Sequence, residues 1–242
     1  MMILCLDSAT PTARVAVLDD DGRPLAAREA TAARHSSNLL RLCHETLTEC
    51  GATPSMLGAI ACGAGPGSFT GLRVGLAVAK GLALPAEVPL VLVSSLAALA
   101  LDVFSSPEAA QTDLAVPCID GGKGAVHVGL FRRDGAELVA AVGGPALVLP
   151  EAVRETLAPA VKDSQRVVVA GNGAERYAAA LDAALATAAA GWRRLTVAGP
   201  TAISIGRLGL VRRRRGEADD LSSAVPLYGR APDITVKKTP EK

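Results

Sequence analysis

Aromatic residues are scarce: Phe, Tyr and Trp make up 2% of the 242 residues, as three Phe, two Tyr and one Trp. The core must therefore be built from Leu, Val and Ala, and there is no aromatic platform on which single-stranded bases would stack. Histidine is limited to His35, His44 and His127, none of them paired at helical metal spacing, so no metal centre is expected. The five cysteines, Cys5, Cys43, Cys50, Cys62 and Cys118, are odd in number and scattered on apolar segments without a CxxC pair, which fits a reducing cytosol. An excess of either charge is missing too: 25 Lys and Arg face 24 Asp and Glu, against a dedicated nucleic-acid or membrane surface. No basic region precedes the first apolar run, which Asp7 interrupts, so no signal peptide is expected. The most apolar region, Leu76 to Leu101, contains Lys80, Pro85, Glu87 and Pro89 and is read as falling short of the ~18 residues of a bilayer span. The expected location is cytoplasmic, without a membrane partner.

What is present is a chain half apolar, long enough for one large or two small domains. It is organised around Gly58 to Leu84. Ala59 to Cys62 suits a buried strand, and Gly63 to Ser68, with three Gly and a Pro, is read as a loop outside regular structure. Phe69, Leu72, Leu76, Ala79 and Ala83 then recur at helical spacing. Gly67, Gly71 and Gly75 form one stripe of that helix, where each interior glycine costs about 1 kcal/mol relative to alanine. Such a stripe lets another backbone approach, either the protein's own sheet or a partner helix. The loop is neither phosphate motif: Gly67-Ser68-Phe69 replaces the Gly-Lys-Ser/Thr of a Walker loop, and Ser68 stands where a dinucleotide fingerprint needs its third glycine.

In chain order, Ile3–Leu6, Arg14–Leu18 and Pro24–Arg28 read as an antiparallel meander, followed by a helix from about Ser37 to Cys50 capped by Ser36 or Ser37. Leu90–Val93 is a further strand, a helix runs to Phe104, and Ser105–Asp113 reads as a linker. The second half repeats the first. Setting Asp7 on Asp120 matches Cys5 with Cys118, Val15 with Val128, Asp21-Gly22 with Asp134-Gly135, Leu25 with Leu138 and Ala27 with Ala140 without a gap. A helix over about Pro150–Leu157, a strand Arg166–Ala170, a Gly171-Asn172-Gly173 turn, an alanine-rich helix to Ala190 and a helix Ala202–Arg214 complete it. The expected fold class is α/β, a duplicated actin-like ATPase (ribonuclease H-like) fold: two similar domains, each a three-stranded meander plus alternating helices and strands. The expected boundaries are 1–105 and 113–231, the last segment packing back on the first domain, with a flexible tail 232–242. Asp7, Thr10 and Asp120 are the candidate vestigial nucleotide cleft, although a strand-end Asp also caps turns in proteins that bind nothing.

Ile3-Leu4-Cys5-Leu6-Asp7-Ser8-Ala9-Thr10, His35-Ser36-Ser37-Asn38-Leu39-Leu40, Gly65-Pro66-Gly67-Ser68-Phe69-Thr70-Gly71-Leu72-Arg73-Val74-Gly75 and Pro226-Leu227-Tyr228-Gly229-Arg230 together resemble the TsaB (YeaZ) family. The resemblance implies a subunit without catalytic residues, cofactor or metal of its own. It would dimerise with TsaD through the N-terminal domain, join TsaE in a ternary complex that uses ATP, meet tRNA through that complex, and form a homodimer when alone. TsaD, which carries the threonylcarbamoyl transfer, has an Asn-His-x-x-x-His metal motif after the corresponding strand; here Ser95 and Leu99 stand where its histidines would be. On this reading Leu39, Leu40, Cys43, Gly67, Phe69, Gly71 and Gly75 form the partner interface. The stretch Asp120-Gly121-Gly122-Lys123-Gly124-Ala125-Val126-His127 departs from the family's Asp-Ala-Arg-x-x-Glu-Val-Tyr, lacking its Arg, Glu and Tyr. Two other classes stay open: an actin-fold kinase or ATPase using Asp7, Thr10, Asp120 and the Gly171-Asn172-Gly173 turn, and, with little support, a peptidase. Arg212 to Arg215 could reach tRNA phosphates or simply favour a helix terminus.

Overall fold

A computed structural model describes residues 1–31, 35–135, 138–162, 165–186, 191–197 and 199–229, with only the backbone at 35–38. The first half forms β1 (Met2–Asp7), β2 (Thr12–Leu18), β3 (Pro24–Thr31), α1 (His35–Glu49), β4 (Leu57–Gly65), α2 (Phe69–Ala86), β5 (Leu90–Ser94) and α3 (Ser95–Ser105). The second forms β6 (Leu114–Gly122), β7 (Ala125–Arg133), β8 (Val139–Val148), α4 (Val153–Leu157), β9 (Val167–Ala170), α5 (Asn172–Arg176), α6 (Ala178–Ala186), β10 (Trp192–Leu195) and α7 (Ala202–Arg214). The sheets run β3-β2-β1-β4-β5 and β10-β9-β6-β7-β8. Replacing β1 to β5 by β6 to β10 converts one order into the other, so the duplicated α/β fold is present.

The gapless alignment is nevertheless one residue out of phase in the first strand. Leu6 pairs with Val15 and Cys118 with Val128, so eight residues (7–14) separate one pair and nine (119–127) the other. Cys118 therefore matches Leu6, and Asp7 matches Ile119 rather than Asp120. The cores agree: Leu4 and Leu6 pack with Leu39, Leu42 and Leu76 of α1 and α2, while Val116 and Cys118 pack with Leu157, Leu181 and Leu185 of α4 and α6. In a strand, a slip of one residue reverses every side chain. Asp7 and Asp120 thus leave their sheets on opposite faces.

Each half also lends a helix to the other. Leu96, Leu99, Val103 and Phe104 of α3 pack on Ala115, Ile119, Val168 and Ala170 of the second sheet. Ile205, Leu208 and Leu210 of α7 pack on Ile3, Cys5, Ala16 and Ala61 of the first. A cut between 105 and 113 therefore crosses both cores.

Several local expectations change. Gly63 to Gly65 is not loop but the end of β4, with Gly63 opposite Val93 and Gly65 opposite Ser94. Pro85 and Lys80 lie inside α2; one residue from its end, Pro85 removes a single i→i−4 hydrogen bond and leaves the ladder ahead of it in place. At 18 residues and mean hydropathy 1.2, α2 is long and apolar enough to cross a membrane by length and composition, contrary to the sequence reading, yet its Leu72, Leu76, Ala79 and Ala83 are buried within the protein. The Gly171-Asn172-Gly173 turn is the start of α5. Strand β10 was not anticipated, since Trp192-Arg193-Arg194-Leu195 is half polar and only its parallel pairing with β9 makes it a strand. The expected caps Ser36 and Ser37, the end of the helix near Ala190, Arg230 and the tail fall outside the described side chains or residues.

Candidate functional site

A cleft of about 580 Å³ opens where the two sheets present their β1–β2 and β6–β7 turns. Ala9 and Pro11 line it from the first turn, Gly67, Ser68 and Phe69 from the start of α2, Asp120 to Lys123 and His127 from the second hairpin, with Asn172, Tyr228 and Gly229. The Gly65–Pro66 peptide is cis. Ser68 caps α2 by accepting from Gly71 N at 3.2 Å, and its own N–H donates to Ala9 O at 2.7 Å.

Of the three cleft candidates only Asp120 lines this space. Asp7 is buried: Ser95 Oγ donates to its Oδ2 at 2.8 Å, and Ala9 N to its Oδ1 at 3.0 Å. A Cβ at Gly63 would lie 1.9 Å from Oδ2, so the bare backbone there makes room for the carboxylate. Burial raises the Asp7 pKa to about 6, against the lowering effects of Ser95, Ala9 and Arg14. Thr10 is 2% exposed, donating to Thr12 O at 3.2 Å and accepting from Arg14 Nη1 at 3.3 Å. Asp120 accepts from Arg176 Nη1 at 2.9 Å, Tyr177 Oη at 3.3 Å and Gly122 N at 3.0 Å. Asp7, Thr10 and Asp120 therefore do not converge on one ligand, which corrects the cleft expected from sequence.

The expected partner face also divides. Leu39 and Cys43 are 0% exposed and belong to the core. The glycine stripe lies against the chain's own first turn: a Cβ on Gly67 would come within 2.3 Å of Ala9 O, on Gly71 within 2.0 Å of Ser8 O, and on Gly75 within 2.4 Å of Ser8 Oγ. No partner helix can use a stripe already filled. Leu40 does face outward, 50% exposed, beside a groove lined by His44, Leu47, Pro54 and Leu82. Phe69 sits at the rim of the cleft, its ring 5.0 Å from that of Tyr228 and 4.0 Å from the Arg73 guanidinium.

Sequence reasoning missed a buried polar group behind the cleft. Arg14 reaches Glu29 at 3.1 Å as well as Thr10, and Asp102 takes Thr201 N, Thr201 Oγ1 and Ser204 Oγ at 2.7, 2.7 and 2.6 Å. Burial raises the Asp102 pKa, opposed by those donors. A signal existed in Thr201, a capping residue just ahead of an apolar helix, but nothing local named its distant acceptor. The basic run is largely occupied: Arg212 pairs with Glu217 and Asp219 at 2.7 and 2.9 Å, and Arg213 donates to Glu217 O at 3.1 Å. Among the described residues no three of His, Cys, Asp and Glu cluster as metal ligands.

This is a two-domain protein of the actin-like ATPase fold, with its cleft between the duplicated halves. Residues 28–204 match the model of the family described as TsaD, tRNA N6-adenosine threonylcarbamoyltransferase. The chain belongs to that family, in its TsaB (YeaZ) branch. The Escherichia coli tRNA threonylcarbamoyladenosine biosynthesis protein TsaB is 34% identical over 157 residues, 65% of this chain and 66% of that protein. The chain spans about half to two thirds of the length of the curated relatives it matches. Pseudomonas aeruginosa YeaZ superposes with a TM-score of 0.78 at 27% identity, covering 94% of this chain and 99% of that one. The Acidaminococcus fermentans (R)-2-hydroxyglutaryl-CoA dehydratase component A shares the fold alone, at TM-score 0.53 and 11% identity over 90% of this chain and 100% of its own.

Proposed function

We propose that this chain is a non-catalytic partner subunit in tRNA threonylcarbamoyladenosine biosynthesis, acting in the cytoplasm with a TsaD-type transferase and TsaE. ATP is used by the complex, and this subunit holds no cofactor; tRNA is met through the assembly, and the free subunit pairs with itself. The observation that carries this reading is the use made of Ser95 and Leu99, which the resemblance sets against the transferase's two metal-binding histidines. Ser95 Oγ is committed to Asp7 Oδ2 and accepts from Gly65 N at 3.2 Å, while Leu99 is 0% exposed against the second sheet. Both residues are core in this chain, which supports a subunit without that metal centre. The outward faces of α1 and α2 supply the partner surface, with Leu40 and Leu84 50% and 68% exposed.

The test is light scattering after size-exclusion chromatography, on the chain alone and mixed with TsaD of the same organism. Wild type should form a heterodimer, and Leu40→Arg should weaken it at least about tenfold while the fold survives, as expected for an exposed site. A Leu40→Arg variant that binds TsaD like wild type would remove α1 from the interface; no complex at all would remove the partner reading. The second reading is nucleotide binding by the isolated chain, favoured by the volume of the cleft and the side chains of Asp120, Lys123 and Asn172 along it. Calorimetric titration with magnesium and ATP separates the two.

A further inference from the structure

Beyond α7 the chain runs from Glu217 to Gly229 without helix or regular strand, back along the first domain to the cleft. Its backbone is tied to the body by Asp219 N to Leu90 O at 2.8 Å and by Leu227 N to Ala64 O at 2.7 Å. Ala224 is buried between these points, but Val225, Leu227 and Tyr228 are 64%, 54% and 39% exposed. What holds the far end is a side-chain cluster on the first turn of α2. Arg73 Nε donates to Tyr228 Oη at 3.1 Å, and the Tyr228 ring lies beside Phe69. Gly229 then lies directly on His127: a Cβ there would be 2.4 Å from Cε1 and 2.6 Å from Nδ1. Under it, His127 is 4% exposed.

We propose that residues 225–229 are a strap that closes one wall of the cleft, latched by Tyr228 on Phe69 and Arg73, and that it swings clear while Asp219 and Ala224 stay anchored. A segment with, among the described residues, one backbone bond to the body and mostly exposed side chains opens at far lower free energy than the sheets beneath it. Opening uncovers His127 and Pro66 together, at the wall where the two domains meet. The strap therefore governs access to the cleft whatever the cleft receives, and it stands independently of the partner reading.

The test uses the full chain, with hydrogen exchange at the Leu227 amide and diethylpyrocarbonate modification of His127, both read by mass spectrometry, and exposed His44 as internal reference. In wild type the Leu227 amide should exchange faster than those of Leu6 and Val93 by about a hundredfold or more. Tyr228→Ala removes the latch and Gly229→Ala drives the strap off the imidazole. Each should speed His127 modification about tenfold while the thermal midpoint holds, with Tyr228→Phe in between because it keeps the ring contact. A Leu227 amide that exchanges only together with Leu6 and Val93, a measurement needing no variant, would overturn the strap. So would His127 reactivity in Gly229→Ala equal to that of wild type.

Discussion

The hydroxyl of Ser95, the first residue of α3, donates to Asp7 Oδ2 at 2.8 Å and accepts from Gly65 N at 3.2 Å, joining the ends of β1 and β4 to a helix. Ser95→Ala leaves a buried carboxylate and a buried N–H each short of a partner, and should cost about 1–3 kcal/mol in urea unfolding. Ser95→His, the residue class of the transferase at this position, should be worse than Ala, because Ser95 is 0% exposed and has no room for a ring. Equal stability of wild type and Ser95→Ala would mean that water replaces the hydroxyl.

Asp7 gives stability a pH dependence of unusual sign for a carboxylate. Its folded pKa of about 6 lies above the ordinary 3.8, so folding favours the neutral acid. The stabilisation from this group is complete below the ordinary value and is lost as pH rises through about 6, a change of roughly 3 kcal/mol. Asp7→Asn cannot ionise. Relative to wild type it should therefore gain up to roughly 3 kcal/mol between pH 4 and pH 7 in denaturant titrations. A difference that stays constant over this range would show Asp7 titrating at its ordinary value.

Gly71 was expected to meet a partner, and the structure puts Ser8 O where its Cβ would go, at 2.0 Å. Backbone on both sides leaves little to yield, so Gly71→Ala should destabilise the isolated chain by about 2 kcal/mol or more. This is a folding defect that precedes any loss of assembly. Thermal unfolding of the purified chain decides it: an unchanged midpoint would return the stripe to the interface.

The duplicated architecture was legible because each half carries the same order of apolar runs and turns, and the Ala202–Arg214 helix was bounded by a capping threonine and its apolar spacing. The phase of β1 against β6 was not. Cys5 and Cys118 are identical, yet one extra residue in the second hairpin puts them on opposite faces, and pairing register is a tertiary property that identity cannot reveal. The glycine stripe was read correctly as a place of close backbone approach, but composition does not say whose backbone arrives. Asp102 was silent for the same reason, and Tyr228, although part of a recognised motif, gave no hint of its contact: their partners, Thr201 and Phe69, are distant in sequence.

The last prediction concerns the helix exchanged between halves. Asp102 takes three donors from Thr201 and Ser204 at the start of α7, and Thr201 Oγ1 in turn accepts from Ser204 N at 3.1 Å. Asp102→Ala strips the acceptor from all three, at an expected cost of at least about 2 kcal/mol. The damage should be local at first, because α7 covers the first sheet: a Cβ on Gly206 would lie 2.4 Å from Cys5 Sγ. Cys5 and Cys118 are both buried, and desolvation raises both thiol pKa values, so neither reacts readily in wild type. Alkylation mapped by mass spectrometry should thus speed at Cys5 well before Cys118 in Asp102→Ala. Equal acceleration at the two cysteines would mean that the whole molecule opens at once, and that the Asp102 cluster holds the fold together rather than the seat of α7.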